Sequence, residues 1–524
     1  MSHPSEHALT MGTMVQRAGV IYADRPAILD HELTLTWKEY TERIARAAGV
    51  LSAMGLEPGQ RYGLISKNTF RHAELIYAGY WLGAVPVPIN HRLAAPEIQY
   101  ILNDSDCQLL VVEGEFIHFL EQEEFVRWQN RVLYLSDHIT PASEIPWPQY
   151  EEVLTNTEPR PVYRANQDDD AILLYTGGTT GKSKGVRLSH KNTVSNAMQM
   201  ALITRAYEED VFLHMAPMFH AADLMGSVFT LVGGAHVYLR EFSPQNLLRI
   251  IQDHRITVSM MPPTVIILTL QEQCLDEFDL SSLRLIFYGS APLAAEWIVR
   301  LMDTFPQVDV QQSYGLTETS PILTTLTPTQ NRKAIAEGNM ELLHSVGIPV
   351  PDVEIKIFDS DDKDVPTGEI GEVVVRGPNV TKGYLGLDEL NKQVFRNGWF
   401  HTGDVGRLDE HNNLYLMDRK KDMIISGSEN VYSLEVEVVI YKHPAVSEVA
   451  VFGVPDEKWG EAVFAAIVPK QGEQLTDEEV IAHCRKHIGG YKIPRRMVFL
   501  EQLPKTAVGK IQKNVLREQY TCHK

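Results

Sequence analysis

The stretch Tyr175-Thr-Gly-Gly-Thr-Thr-Gly-Lys-Ser-Lys-Gly185 follows an apolar, strand-like run and precedes the run 186–189. Its glycines let backbone N–H groups converge on an anion, its threonine hydroxyls add hydrogen-bond donors, and its lysines supply positive charge. This combination predicts a loop that leaves a strand and cradles a polyphosphate. A flexible, solvated turn is the alternative that the composition of one short loop leaves open.

The spacing of this loop excludes a P-loop. With Gly181-Lys182-Ser183 aligned on the end of G-x-x-x-x-G-K-[ST], the first glycine of the pattern must fall at position 176, and that residue is Thr176. Gly177 stands one residue too late. The predicted phosphate loop is therefore of another kind.

Length and composition describe an ordinary globular protein with more than one folding unit. The chain has 524 residues, of which 44% are hydrophobic and 22% charged, and its formal net charge is −20. Such a charge repels nucleic-acid backbones, so we expect no nucleic-acid partner. Residues 418–524 nevertheless hold 16 lysines and arginines against 15 aspartates and glutamates. A near-neutral end on an acidic body suggests two domains.

The cysteine spacing indicates a reducing compartment, and the N-terminal residues show no targeting signal. Cys107, Cys274, Cys484 and Cys522 lie far apart and form no C-x-x-C pair, which favours neither a disulfide framework nor a cysteine zinc site. The first residues lack a basic segment followed by an apolar one, and glycine and prolines interrupt the longest apolar stretch. We expect a cytoplasmic protein without a membrane span, and a homodimer is left open.

The order of strand-like and helix-like segments predicts the fold class. These segments alternate from residue 33 onwards, and Thr36 with Glu39 forms a capping box at the start of one helix. Such alternation favours an α/β sheet covered by helices. The polar, proline-containing stretch 122–170 indicates a surface connection. Short alternating strands at 353–358 and 372–376 suggest a small β-rich subdomain.

A charged run, Asp418-Arg-Lys-Lys-Asp422, lies between two apolar segments and indicates a hinge. We therefore expect a large N-terminal domain at 1–417 that contains the α/β subdomains and the small β-rich subdomain. Residues 418–422 would form the hinge. A small α+β domain at 423–524 would complete the chain.

Six further segments carry residues suited to nucleotide and acid chemistry. They are Pro217-Met-Phe-His-Ala-Ala-Asp-Leu-Met-Gly226, Tyr288-Gly-Ser-Ala-Pro292, Tyr314-Gly-Leu-Thr-Glu-Thr319, Trp399-Phe-His-Thr-Gly-Asp404, Arg419-Lys-Lys-Asp-Met-Ile-Ile-Ser-Gly-Ser-Glu-Asn430 and Leu503-Pro-Lys-Thr-Ala-Val-Gly-Lys510. A tyrosine offers a stacking plane for a base, a carboxylate suits a hard cation, and small residues permit close approach of a ligand. Taken singly, each segment also fits a turn, a buried histidine or a solvated charge cluster.

In this order, and over nearly the whole chain, the loop and the six segments resemble the adenylate-forming (AMP-binding) superfamily. This superfamily includes the acyl-CoA synthetases, adenylation domains and luciferases, and its phosphate loop reads T-S-G-T-T-G-x-P-K-G. The resemblance to its acyl-CoA synthetase, or fatty-acid–CoA ligase, family implies an AMP-forming acid–thiol ligase that uses ATP, Mg²⁺ and coenzyme A. It also implies that residues 423–524 form a mobile lid.

The resemblance assigns roles to individual residues. Thr317 would contact phosphate, Glu318 would hold Mg²⁺, Lys510 would act in adenylate formation, and His220 would gate the acyl pocket. The residues implied to bind the nucleotide are Thr176, Gly177, Gly178, Thr179, Thr180, Gly181, Lys182, Lys184, Gly289, Ser290, Ala291, Tyr314, Asp404 and Arg419.

Some positions carry the second half of the implied chemistry, and others depart from the superfamily pattern. Lys421 falls at the pivot of the hinge, and Gly427 would face coenzyme A. Gly177 replaces a serine, Ser183 replaces a proline, and Ser428 stands where glycine is more usual. The loss of one hydroxyl at position 177 predicts altered nucleotide affinity, because the other donors of the loop remain.

The implied reaction activates a carboxylic acid. The carboxylate would attack the α-phosphorus of ATP to give an acyl-adenylate and pyrophosphate, and the thiol of coenzyme A would then release AMP. Segments such as Pro455-Asp-Glu-Lys-Trp-Gly460 are similar to those of bacterial fatty-acyl-CoA ligases, so the expected acid is a medium- or long-chain fatty acid. The alternative is an aryl acid of the feruloyl or coumaroyl type, since Asp223 beside the gate could favour a hydroxylated acid.

Other functions within and outside this superfamily stay open. A stand-alone adenylation enzyme would load the acid onto a carrier protein instead of coenzyme A. A luciferase-like role is weaker, because the chain ends in Cys522-His-Lys524 and not in a peroxisomal S-K-L signal. A nucleotide-binding sensor without catalysis would bind ATP and release no pyrophosphate.

Overall fold

The computed structural model describes residues 9–31, 33–136, 145–176, 182–291, 293–420, 422–426, 429–456, 458–506 and 511–521. The chain divides into two compact units. The first consists of Met1–Glu354 and Arg376–Gln393, and the second of Ile355–Val375 and Val394–Lys524. The hinge expected at 418–422 lies inside the second unit, and the domain boundary drawn there stays a prediction.

The first unit is built on β-sheets. Its strands are β1 (Pro26–Leu29), β2 (Thr34–Thr36), β3 (Arg61–Ile65), β4 (Val85–Pro88), β5 (Cys107–Glu113), β6 (Val132–Leu135), β7 (Asp170–Thr176), β8 (Lys184–Ser189), β9 (Val211–His214), β10 (Ala235–Tyr238), β11 (Val258–Met260), β12 (Leu285–Gly289), β13 (Asp309–Tyr314), β14 (Thr324–Leu326) and β15 (Ile348–Pro349). In the described part of the chain, the largest sheet has the order β15-β14-β13-β12-β11-β9-β10-β1-β2. A second sheet has the order β4-β3-β5-β6, and β7 pairs with β8.

Helices connect and cover these strands. They are α1 (Met11–Ile21), α2 (Trp37–Ala53), α3 (Phe70–Leu82), α4 (Ala95–Asp104), α5 (Tyr150–Thr155), α6 (His190–Thr204), α7 (Gly226–Val232), α8 (Pro244–Asp253), α9 (Pro263–Leu270), α10 (Ala295–Thr304), α11 (Pro328–Glu337) and α12 (Asp388–Val394). The predicted capping box starts α2, where Thr36 N donates to Glu39 Oε2 at 2.8 Å and Glu39 N donates to Thr36 Oγ1 at 3.3 Å. Of the helices that the structure describes, none is long and apolar enough to cross a membrane.

The second unit has two further sheets in the residues described. Its strands are β16 (Glu354–Phe358), β17 (Gly371–Arg376), β18 (Phe395–Arg396), β19 (Trp399–Leu408), β20 (Leu414–Arg419), β21 (Ile424–Ser426), β22 (Glu429–Val431), β23 (Val446–Asp456), β24 (Gly460–Pro469) and β25 (Arg496–Phe499), and its helices are α13 (Ser433–Tyr441), α14 (Asp477–Arg485) and α15 (Lys513–Thr521). One sheet runs β16-β17-β19-β18 with β20 beside β19, and the other runs β22-β21-β24-β23 with β25 beside β24. The α/β class and the short strands expected at 353–358 and 372–376 are confirmed.

The stretch 122–170 is more structured than its composition suggests. We expected a surface connection, yet it contains α5 and the buried strand β6, which pairs in parallel with β5. The strand is only four residues long, Val-Leu-Tyr-Leu, and polar residues flank it. A short apolar run of this kind gives little periodic signal, so its burial against β5 decides its conformation.

A buried ion pair fixes α2 against α3. Glu74 lies on α3 with no exposed surface, and Arg43 of α2 donates to both of its carboxylate oxygens at 2.8 and 2.9 Å. The Tyr150 hydroxyl donates to the same carboxylate at 2.5 Å. Burial raises the pKa of the Glu74 carboxyl, and the Arg43 guanidinium opposes that rise.

We predict that Arg43→Met destabilises the first unit by about 3–5 kcal/mol, because it leaves the buried Glu74 carboxylate without its cation. The measurement is urea-induced unfolding. Arg127→Met removes the exposed ion pair with Asp106, and it should change the free energy of unfolding by about 1 kcal/mol or less. Equal effects of the two substitutions would contradict a structural role for the Arg43–Glu74 pair.

Candidate active site

The predicted nucleotide-binding segments at Gly289 and Tyr314 leave neighbouring strands. β12 and β13 are parallel, and Gly289 stands opposite Ser313 in their register. A Cβ atom at Gly289 would lie 2.4 Å from the Ser313 carbonyl oxygen, so only glycine permits this approach of the two backbones. Since parallel strands present their carboxyl ends at one edge, Ser290 and Ala291 come next to the segment that follows Tyr314.

The segment after β13 folds back tightly on itself. A Cβ atom at Gly315 would lie 1.8 Å from the Pro321 carbonyl oxygen, so the turn requires glycine here. Residues Thr317–Thr319 then form one turn of 3₁₀ helix. This turn carries Thr317 and Glu318 at the same edge of the sheet as Ser290.

A tyrosine outside every predicted motif holds Glu318. The Tyr384 hydroxyl donates to Glu318 Oε1 at 2.7 Å, and the Thr381 backbone N–H donates to the Glu318 carbonyl oxygen at 2.7 Å. No pattern in the sequence marked Tyr384 or Thr381, because each acts through a contact with residues more than sixty positions away. The side chain that fixes the predicted metal-binding carboxylate is therefore a finding of the structure.

Residues 381–385 also extend the strand that follows the phosphate loop. Arg187 N donates to the Gly383 carbonyl oxygen at 3.1 Å, and Leu385 N donates to the Gly185 carbonyl oxygen at 2.8 Å. This pairing places the Lys184 ammonium 5.6 Å from the centre of the Tyr384 ring. The structure thus brings Lys184 and Glu318, two residues predicted from separate motifs, to one tyrosine side chain, Lys184 over its ring and Glu318 at its hydroxyl.

The structure describes both ends of the predicted phosphate loop, up to Thr176 and from Lys182. β7 and β8 are antiparallel, and Thr176 pairs with Lys184. The Lys182 ammonium lies 5.1 Å from the centre of the Tyr100 ring. The predicted residues Gly177, Gly178, Thr179, Thr180, Gly181, Lys421, Gly427 and Lys510 lie outside the described residues.

His220, the predicted gate, lines a cavity inside the first unit. Its Nδ1 atom accepts a hydrogen bond from Ala222 N at 3.2 Å at the start of the short 3₁₀ helix 221–225. The cavity has a volume of about 40 Å³ and lies between α3, β7 and the segment 218–227. Apolar side chains form most of its wall, and His214 and Asp223 also line it.

In the second unit, two predicted nucleotide-binding residues pair with each other. Asp404 of β19 stands opposite Arg419 of β20, and Arg419 Nε lies 2.6 Å from Asp404 Oδ1. The Asp404 side chain is buried, whereas Arg419 is largely exposed. An aspartate held in this way is oriented as a hydrogen-bond acceptor by its neighbour across the ladder.

Comparison with known proteins identifies the family. The model of the AMP-binding enzyme family matches residues 15–385, and the model of the AMP-binding enzyme C-terminal domain matches residues 435–510. The chain belongs to the AMP-binding enzyme family. The resemblance inferred from the motifs is thereby confirmed.

Individual relatives of this AMP-binding enzyme differ in the acids that they are named for. A feruloyl-CoA synthase of Amycolatopsis sp is 36% identical over 490 residues, which cover 93% of this chain and 94% of the relative. The long-chain-fatty-acid–CoA ligase FadD13 of Mycobacterium tuberculosis is 33% identical over 497 residues, which cover 94% of both chains. The ATP-bound crystal structure of MatB from Rhodopseudomonas palustris matches with a TM-score of 0.88 at 29% identity, over 98% of this chain and 99% of that chain.

The residues present fit a magnesium ion that a nucleotide helps to bind. Among the described residues, no group of three or more histidines, cysteines or carboxylates could hold a metal ion by itself. Mg²⁺ is usually bound by one or two carboxylates together with substrate phosphates. In this AMP-binding enzyme Glu318, which accepts a hydrogen bond from Tyr384 at 2.7 Å, would supply one such carboxylate.

We predict that Tyr384→Phe weakens the binding of ATP in the presence of Mg²⁺ by about tenfold, because a hydrogen bond to a charged group is lost. The measurement is calorimetric titration with and without Mg²⁺, and the loss should disappear when Mg²⁺ is absent. Tyr62→Phe is the matched control, since its buried hydroxyl donates to the Leu75 carbonyl oxygen. A similar loss without Mg²⁺ would contradict a role for Tyr384 through Glu318.

Proposed function

We propose that this AMP-binding enzyme is an acid–CoA ligase that converts a carboxylic acid, ATP and coenzyme A to an acyl-CoA, AMP and pyrophosphate. The observation that carries the proposal is the grouping of Glu318, Tyr384 and Lys184 at the second strand of the phosphate loop. The names of the feruloyl-CoA synthase and of the fatty-acid–CoA ligase support the same reaction class.

Activation of the acid overcomes two chemical obstacles. A carboxylate oxygen is a poor leaving group, so a thiol does not displace it directly. The acid therefore attacks the α-phosphorus of ATP and becomes a mixed anhydride with AMP, and pyrophosphate leaves. Both reactants are anions, and preorganised positive charge is needed where they meet.

The chain's own residues supply that charge and the orientation of the nucleotide. Lys184 and the loop that begins after Thr176 hold the phosphates, and Lys510 stabilises the reacting carboxylate and α-phosphate. Mg²⁺, held by Glu318 and phosphate oxygens, would neutralise the polyphosphate. Asp404 is proposed to accept hydrogen bonds from the ribose hydroxyls.

Other predicted residues complete these roles. Tyr314 stacks on the adenine, Thr317 contacts phosphate, and Gly289 with Ser290 and Ala291 forms the wall beside the base. Arg419, Lys182 and the loop residues 177–181 would also contact the nucleotide.

The second half-reaction transfers the acyl group to a thiol. The thiol of coenzyme A attacks the carbonyl carbon of the adenylate, the bond to the AMP oxygen breaks, and the thioester and AMP leave. Lys421 is the proposed pivot and Gly427 the proposed contact with coenzyme A. If a carrier protein were the acceptor instead, the adenylate would form normally and free coenzyme A would not accept the acyl group.

For the acid, the aryl or hydroxylated class is the better proposal of the two that the sequence left open. Relatives named for both classes are similar to this chain, so similarity alone does not choose between them. The cavity beside His220 contains the carboxylate of Asp223, which suits a polar group better than an alkyl chain. A medium- or long-chain fatty acid is the second candidate.

We predict that Lys510→Ala reduces adenylate formation by at least about a hundredfold, because the charge that stabilises the transition state is lost. Transfer from a preformed acyl-adenylate to coenzyme A should remain near the wild-type rate. The two measurements are acid-dependent pyrophosphate–ATP exchange and single-turnover thioester formation.

Lys505→Ala is the control for this prediction, because Lys505 lies on the same C-terminal segment and pairs with Glu448 at 2.7 Å. It should leave both half-reactions unchanged. Intact pyrophosphate exchange in Lys510→Ala would contradict the assignment of Lys510. ATP binding without pyrophosphate release for any acid would support a sensor instead of a ligase.

A further inference from the structure

A chain of hydrogen bonds runs from the cavity into the core of the first unit. His214 Nδ1 lies 2.7 Å from Asp223 Oδ1, and His214 Nε2 lies 2.9 Å from His236 Nδ1. His236 Nε2 lies 3.2 Å from Thr230 Oγ1, which is 2.7 Å from the Tyr77 hydroxyl. The two histidines, Thr230 and Tyr77 are all buried.

The donor and the acceptor of each hydrogen bond follow from the Tyr77 hydroxyl at the buried end. Tyr77 and Thr230 make no other side-chain hydrogen bond with the described residues, so the Tyr77 hydroxyl must donate to Thr230. The Thr230 hydroxyl then donates to His236 Nε2, and His236 Nδ1–H donates to His214 Nε2. His214 Nδ1–H is left to donate to Asp223. In the reverse direction the buried Tyr77 proton would have no acceptor, which is costly.

This direction requires two neutral imidazoles, and it makes Asp223 Oδ1 a hydrogen-bond acceptor. Burial, and then the neighbouring His214, lower the pKa of His236 well below its ordinary value, so His236 is neutral as the hydrogen bonds require. In this series of hydrogen bonds, every O–H and N–H group points its hydrogen toward Asp223. These hydrogen bonds therefore stabilise the Asp223 carboxylate at the wall of an otherwise largely apolar cavity.

One oxygen of this carboxylate remains available. Asp223 Oδ1 accepts from His214, whereas Oδ2 has no hydrogen-bond partner among the described residues. The Asp223 side chain is 12% exposed, and it lines the cavity. A carboxylate oxygen in such a place needs a hydrogen-bond donor, and an alkyl end would leave it desolvated and unpaired.

The cavity lies on the face of β7 that also carries Thr176, the residue before the predicted phosphate loop. Ile172 and Leu174 line the cavity, and Thr176 is the next residue on that face because side chains alternate along a strand. Two residues of a strand span about 7 Å. An acid whose carboxylate lies near Thr176 would therefore bring its far end to the cavity that Leu174 and Asp223 line.

The volume of the cavity favours a small group at that far end. A cavity of about 150 Å³ admits benzene. The cavity beside Asp223 has about 40 Å³, which suits a hydroxyl or amino group better than several methylenes.

We infer that Asp223 selects carboxylic acids that carry a hydrogen-bond donor, a hydroxyl or an amino group, at the end remote from the carboxylate. This inference rests on the proposed function and names its substrate class. Asp223 accepts the donor through Oδ2, and His214 orients the carboxylate. Sites built to bind a hydroxyl reject the analogue that lacks it, because a buried polar group is then left unpaired.

The test compares acids that differ in one remote group. Wild-type enzyme receives ATP, Mg²⁺ and coenzyme A with 4-hydroxycinnamic, cinnamic or 4-methoxycinnamic acid, and with 10-hydroxydecanoic or decanoic acid. AMP release gives kcat/KM for each acid. Within each pair we expect the hydroxylated acid to be favoured by about 10- to 100-fold, the range for a hydrogen bond to a charged group.

Asp223→Asn changes the hydrogen-bonding character of this site and keeps its size. The amide oxygen can still accept from His214 Nδ1–H, while the amide N–H₂ group now donates into the cavity. We expect the preference for 4-hydroxycinnamic over 4-methoxycinnamic acid to fall at least about tenfold, because a methoxy oxygen only accepts. Asp253→Asn, on the exposed end of α8, should keep the wild-type preference.

The outcomes separate this inference from the proposed function. If no acid releases AMP, the proposed function fails, and the inference falls with it. If AMP is released but wild-type enzyme does not favour the hydroxylated acids, the inference alone is overturned. It is also overturned if a folded Asp223→Asn keeps the wild-type preference. The wild-type panel is decisive even if that variant does not fold.

Discussion

β12 and β13 lie so close together at Gly289 that the Ser313 carbonyl occupies the space where a side chain would stand. This contact fixes the edge of the sheet at which the chain leaves both strands. Gly315 allows the second exit to fold back against Pro321, and the turn that carries Glu318 follows. The position of Glu318 at this edge of the sheet therefore depends on two backbone approaches that no residue with a Cβ atom permits.

Three carboxylates with proposed roles have a defined donor, Glu318 and Asp223 in the first unit and Asp404 in the second. Tyr384 donates to Glu318, His214 donates to Asp223, and Arg419 pairs with Asp404. A neutral donor orients a carboxylate and leaves its charge available to a cation or a ligand proton. Glu318 and Asp223 have donors of this type, which agrees with their proposed roles toward Mg²⁺ and toward a remote hydroxyl group.

The second unit uses buried charge to hold its own helices together. Lys513 of α15 lies 2.7 Å from Glu437 Oε1 and 2.6 Å from Ser433 Oγ of α13. Burial alone would lower the pKa of Lys513, but Glu437 and Asp418 raise it above its ordinary value. Asp418 also accepts a hydrogen bond from the Ser433 hydroxyl at 3.1 Å. The start of the predicted hinge is thus tied to the helix that follows Lys510.

The sequence by itself determined the α/β class, the family and the residue types proposed to bind phosphate, metal and acid, because these depend on local order and spacing. It marked Glu318, His220 and Lys184 through motifs, and Thr36 through a capping box. It did not reveal β6, because four apolar residues among polar ones show no clear period. Only the tertiary structure decided that Tyr384 donates to Glu318 and that Tyr77 orients Asp223 through Thr230 and two histidines. The contacts of Tyr384 with Glu318 and of Tyr77 with Thr230 join segments far apart in the chain, and folding, not spacing, brings them within hydrogen-bonding distance.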